Sequence, residues 1–146
     1  MIKKSVRYDN YAYRLSDVPV SAELLASGWE EGEFLSYNAS GELVKATNTT
    51  VPFMSLSSKR KGRDQFVGKT TYAASLMFGP ARVATTNFDA TKTYTPGAPL
   101  YVDANGALTT EKGSYLVGYV SPGNGENGIG ADGYLTALII MPVPVA

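Results

Sequence analysis

Residues able to do chemistry are few in this chain, and their spacing argues against most reactions. The sequence contains no histidine and no cysteine. It therefore lacks the usual general base near neutral pH, the commonest metal ligand and any thiolate nucleophile. Gly68-Lys69-Thr70-Thr71 has the look of the end of a phosphate-binding loop. Five residues separate Gly62 from Gly68, one more than that loop uses. The β-forming Thr70, Thr71 and Tyr72 then stand where a helix should begin. Gly123-Asn124-Gly125-Glu126-Asn127-Gly128 matches a dinucleotide fingerprint in letters only. Residues 129–133, IGADG, will not open the helix that the pyrophosphate needs, and the ribose-binding acid does not follow at its usual distance. Asn124, Glu126, Asn127 and Asp132 are oxygen donors, but not at the spacing of a calcium loop.

Two charged groups remain. Glu30, Glu31 and Glu33 could serve as a glycosidase acid/base pair only if two carboxylates faced each other across a cleft. As near neighbours in sequence they read as a solvated turn. Lys59-Arg60-Lys61-Gly62-Arg63 could meet phosphates. The formal net charge is nonetheless zero, with 13 basic and 13 acidic side chains, and no aromatic interleaves the run. A loop that meets an acidic protein surface, or one that is merely solvated, explains Lys59, Arg60, Lys61 and Arg63 as well. The expectation is a chain that is not an enzyme and that takes no cofactor, metal or nucleic acid. No apolar run is long enough to span a bilayer, so no membrane partner is expected.

The elements that would carry these residues are β-strands. One phrase occurs twice: Gly-x-x-Leu-x-x-Asx-Ala-x-Gly-x-Leu fits residues 32–43 and residues 97–108, at a constant spacing (97 − 32 = 65). Each copy predicts two strands around an Asx-x-x-Gly turn. Either the chain repeats itself, or two hairpins have converged on one turn chemistry. Residues 21–27 are the one expected helix, with Ser21 as cap, high-propensity Ala22 to Ala26, and Gly28 as stop. Residues 134–141, YLTALIIM, are apolar on both faces and predict a strand buried twice, in a barrel wall or under a neighbouring subunit. Leu138, Ile140 and Pro142 are the candidate interface residues. At 146 residues one domain is expected, with residues 21–146 forming it. Residues 1–20 read as an extended arm rather than a packed element, because Tyr8, Tyr11 and Tyr13 alternate with charge at neither helical nor strand period. The fold class expected is mainly β: a small antiparallel barrel or sandwich with at most one short helix.

The phrase at 32–45, its echo at 97–109, Gly113-Ser114-Tyr115-Leu116-Val117-Gly118-Tyr119-Val120 and the apolar strand at 135–141 together resemble the head-decoration, or capsid cement, proteins of tailed bacteriophages. The basic run at 59–63 lies outside that pattern. The resemblance implies a small, sometimes tulip-like β fold and an N-terminal arm that orders on the capsid lattice. It implies a homo-oligomer, with a trimer favoured, bound to the major capsid protein on the outside of the virion and assembled in the host cytoplasm. On that reading Lys3, Lys4, Val6, Arg7, Tyr8, Tyr11, Tyr13 and Arg14 grip the shell, and the basic run is a second contact. Tyrosine offers large contact area for little rotamer entropy, and arginine pairs with carboxylates. The alternative is a β-sandwich module that recognises a glycan or a host surface through exposed Trp29, Tyr101 and Tyr119.

Overall fold

The turn chemistry of the repeated phrase is realised twice, bond for bond. In the computed structural model, Asn38 N–H donates to the Glu42 carbonyl (2.8 Å), and Asp103 N–H donates to that of Ala107 (2.8 Å). The Asn38 side-chain oxygen accepts from the amides of Ser40 and Glu42, at 2.9 and 3.0 Å. The Asp103 carboxylate accepts from Asn105 and Ala107, at 2.8 and 3.0 Å. Gly41 and Gly106 close the two turns at φ 77° and 78°, a conformation that costs a side-chain-bearing residue more than glycine. The structure describes residues 4, 6–8, 14–57, 59–60, 73–77, 80–121 and 128–145.

The likeness runs well beyond the turns. In the first half, strand β4 (Phe34–Tyr37) pairs with β5 (Leu43–Lys45) on one side and β6 (Phe53–Met54) on the other. In the second, β10 (Pro99–Val102) pairs with β11 (Leu108–Thr109) and β12 (Tyr115–Val120). The registers coincide: Phe34 faces Met54 as Pro99 faces Tyr119, and Ser36 faces Val44 as Tyr101 faces Thr109. Each half then adds two strands. Strand β8 (Ala73–Met77) bridges to β6 through Leu76 and Ser55 and pairs with β2 (Arg14–Pro19). Strand β13 (Leu135–Pro144) pairs with β12 through Ala137 and Val120, and with β9 (Ala81–Thr85). The strand orders β2-β8-β6-β4-β5 and β9-β13-β12-β10-β11 are therefore the same.

A parallel bridge brings the two ends of each ladder together, Val20 to Leu43 in one and Phe88 to Leu108 in the other. The chain is thus two small, curled, barrel-like units in tandem (the first and second barrel). The second is a half-barrel sheet whose β9 edge is taken by β1 (Val6–Tyr8), and the first is a three-stranded sheet bridged to the β2-β8 pair. Among the described residues the chain is mainly β with one short helix, α1 (Ala22–Ser27), where Ser21 Oγ accepts from the Leu24 amide (3.1 Å). The helix covers the first barrel and contributes Leu24 to its cluster of Val18, Val20, Trp29, Leu35, Leu43 and Leu76. No helix among the described residues is long and apolar enough to cross a membrane. Short β3 (Gly28–Trp29) pairs with β7 (Lys59–Arg60), which places the start of the basic run on a strand.

The front of the chain is extended, as expected, but it is not a free arm where it is described. β1 (Val6–Tyr8) is the edge strand of the larger sheet, with Val6 opposite Thr85, and β2 is a wall of the first barrel. Val6 is 6% exposed and belongs to the main core. Burying an apolar side chain there is worth about 1.5–3 kcal/mol, which holds this segment to its own sheet. On one face of β13 Leu135, Ala137 and Ile139 are buried; on the other Thr136 is buried and Ile140 half-buried while Leu138 is open to solvent, so the second face is covered only in part within the chain.

Candidate functional site

Strand alternation sends Leu35 and Leu76 into the first barrel, and turns Phe34, Met54 and Met77 outward. That outward row is not free. All three side chains are at most 3% exposed and pack in one cluster with Leu100, Val117, Val120 and Ile139 of the second half. Backbone and side-chain bonds lock the seam. Phe34 N–H donates to the Gly106 carbonyl (3.1 Å), and Ser114 N–H donates to that of Asn48 (2.9 Å). Buried Asn87 donates its side-chain amide to Gly32 (2.7 Å) and Gly106 (2.9 Å), one carbonyl from each repeat.

The same row in the second half is Pro99, Tyr119, Leu138 and Arg82, consecutive partners across β10, β12, β13 and β9. Here nothing covers it among the described residues. Tyr119 is 40% and Leu138 45% exposed, and Pro99 and Arg82 are also exposed. Gly118 lets β12 and β13 close up, since a Cβ there would overlap the Leu138 carbonyl oxygen. Farther along, the register of β13 slips against β12 between Leu116 and Gly118. Met141 and Val143, next to that irregularity, are exposed.

A second apolar feature is an open depression of about 420 Å³ lined by Ser36, Tyr37, Thr49, Thr50, Val51, Phe53 and Tyr115. The Tyr37 and Phe53 rings meet edge to face with centroids 5.8 Å apart. Its lining offers rings, hydroxyls and one branched aliphatic, with no carboxylate, amine or imidazole. It can bind, but it holds no acid/base pair poised near neutral pH.

The ionisable groups expected to do work are elsewhere. Glu33 is no solvated turn residue: it is buried, paired with Lys45 and 3.7 Å from Lys4 Nζ. Lys4 also donates its backbone N–H to Glu30 (3.1 Å). This member of the expected gripping set is thus engaged with its own domain. Tyr94 takes the place in the second barrel that Trp29 has in the first. Its hydroxyl reaches the carbonyls of Asp89 (2.7 Å) and Leu108 (3.2 Å). Burial, and then the Asp89 and Asp103 carboxylates, push its phenol well above the ordinary range. The Asp89 carboxyl is held below its usual value by the Thr91 hydroxyl and amide. These shifts report a cap and a core tyrosine, not a reaction.

Of the other expected site residues, Arg7, Tyr8 and Arg14 lie on β1 and β2, and Lys59 and Arg60 on β7. Lys3, Tyr11, Tyr13, Lys61 and Arg63 fall outside the described residues. Leu138 is exposed, whereas Ile140 and Pro142 are half-buried and line a small recess with Phe34 and Met77. Trp29 is 3% exposed, so it cannot be an aromatic platform; Tyr101 is half-buried. Sequence reasoning missed Arg82, Pro99, Tyr37 and Val51. The repeated phrase already aligned Pro99 with Phe34, which was the available signal for the row. Comparison with known proteins finds no matching family model, no matching curated protein and no matching solved structure.

Proposed function

We propose that this chain is a structural virion protein, not an enzyme, that binds the outer surface of a bacteriophage capsid and stabilises contacts between major capsid subunits. The reading starts from the sequence resemblance. The observation that carries it in the structure is the depression of Tyr37, Val51, Phe53 and Tyr115, an apolar, aromatic, uncharged surface shared by both halves. Aromatic anchors in a shallow recess with a hydroxyl rim are what a protein interface uses. Two barrels locked by a common core present that surface rigidly, so little is lost to ordering on docking. Many copies on one shell add their modest affinities.

The test uses expanded, undecorated heads assembled from the major capsid protein of the phage that carries this chain. Wild-type protein should co-sediment with them, and Val51→Glu with Tyr37→Ser should reduce binding at least ten-fold while circular dichroism is unchanged. Binding by that double variant equal to wild type overturns the reading. Deleting residues 1–14 is a poor substitute, because it removes β1 and Val6 from the fold. The rings of Tyr37 and Tyr115 favour one other reading, a glycan platform. Retention on a glycan array together with no binding to heads would replace the capsid by a carbohydrate.

A further inference from the structure

The two barrels carry the same outward row with opposite fates. In the first half the register partners Arg14, Met77, Met54 and Phe34 form it, and its three apolar members are buried by the second half. In the second half Arg82, Leu138, Tyr119 and Pro99 form it, and all four are exposed, with nothing among the described residues laid over them.

We propose that this free row docks a second copy of the chain about a two-fold axis lying along β13, with Leu138 against the partner's Leu138 and Arg82 over the partner's Tyr119. The order of the row carries the argument. Leu138 sits in the middle, with a cation one strand away on one side and an aromatic ring one strand away on the other, each about 4.8 Å off. A two-fold parallel to the strands reverses the row, so cation meets ring and leucine meets leucine. A two-fold across the strands would set Arg82 on the partner's Arg82, and like charges face to face disfavour it. A guanidinium over a tyrosine face is attractive, and the two sheet faces can stack about 10 Å apart as in a sandwich. The row is only four strands wide, so the contact falls below the standard interface of about 1,600 Å². A contact of that size forms a reversible dimer rather than a permanent one.

This inference stands apart from the capsid reading, and its test contains no capsid. Sedimentation equilibrium of the purified full chain should show monomer and dimer. Leu138→Glu should weaken the dimer at least ten-fold, and Arg82→Ser several-fold, with thermal midpoints near that of wild type because both positions are exposed. The chain has no cysteine, so a single introduced thiol reads geometry directly. Leu138→Cys should cross-link to a dimer with a short bismaleimide, since the axis sets the two thiols opposite each other across a sheet gap of about 10 Å. Exposed Pro99→Cys, two strands off the axis and so about 19 Å from its copy, should not. A wild-type chain that stays monomeric at millimolar concentration overturns the proposal. So does a trimer, or a dimer in which Leu138→Cys fails to link.

Discussion

Phe34, Met54 and Met77 in the first barrel, and Pro99, Tyr119 and Leu138 in the second, occupy equivalent backbone places and meet opposite environments. The difference teaches that the strand scaffold does not decide what a face does; its side chains and neighbours do. The buried row uses phenylalanine and methionine, which fill an irregular seam. The open row has proline, tyrosine and leucine, flanked by arginine. The interiors differ in a similar way. The first barrel is covered by α1 and holds Trp29, whose ring N–H finds no partner among the described residues. The second has a turn in place of the helix and holds Tyr94, whose hydroxyl is bonded.

The sharpest way to break this comparison is to truncate matched positions. Phe34→Ala should cost about 3–5 kcal/mol in urea denaturation, whereas Pro99→Ala should stay within about 0.5 kcal/mol. Equal costs would mean that the rows are not the asymmetric pair described. Gly118→Ala comes next. Its Cβ would collide with the Leu138 backbone, so β12 and β13 must separate, and a loss of about 3 kcal/mol is expected. The paired turn glycines give a smaller contrast. Gly41→Ala meets open space and should cost about 1 kcal/mol for its positive φ alone. Gly106→Ala has the same φ but would also press on the Phe34 carbonyl, 3.1 Å from the added carbon, and should cost about 1 kcal/mol more.

The smallest effect is a pH dependence peculiar to the second barrel. The Tyr94 phenol has its folded-state pKa raised above the ordinary 10.0, chiefly by burial. The native state therefore binds more protons than the unfolded chain once the pH passes 10. The stability that the neutral phenol contributes is fully present below pH 10 and is lost as pH rises beyond it. Thermal midpoints of wild type and Tyr94→Phe should accordingly converge between pH 9 and about 11. A gap that stays constant over that range would show that Tyr94 ionises alike in both states.

Much of the local structure was legible, because it is set by residues a few positions apart. Asn38 and Asp103 make their turns through their own side chains, Ser21 caps α1, and the Gly-x-x-Leu phrase puts Leu35 and Leu100 inside. What could not be read was pairing across long separations. β8 and β13 hold equivalent places but share no phrase, so the repeat looked like a hairpin rather than half the chain. β1 is three residues long, and its partners lie at 83–85, so nothing local distinguishes it from a free extended segment. Of the sites, Leu138 was legible as an apolar residue on a two-faced strand. Its exposure was not, because that depends on which of two like faces the other barrel covers. Glu33 misled for the same reason: Lys45 and Lys4, its partners, reach it only through the fold.

One consequence follows from the cluster in which Phe34, Met54 and Met77 lie with Leu100, Val120 and Leu135. Tandem modules joined by a tether can melt one after the other; here the outer face of the first module is itself part of the core of the second. Calorimetry should record a single heat-absorption peak. A polypeptide cut between Met77 and Ala81 should yield two fragments that are structureless apart and regain order on mixing.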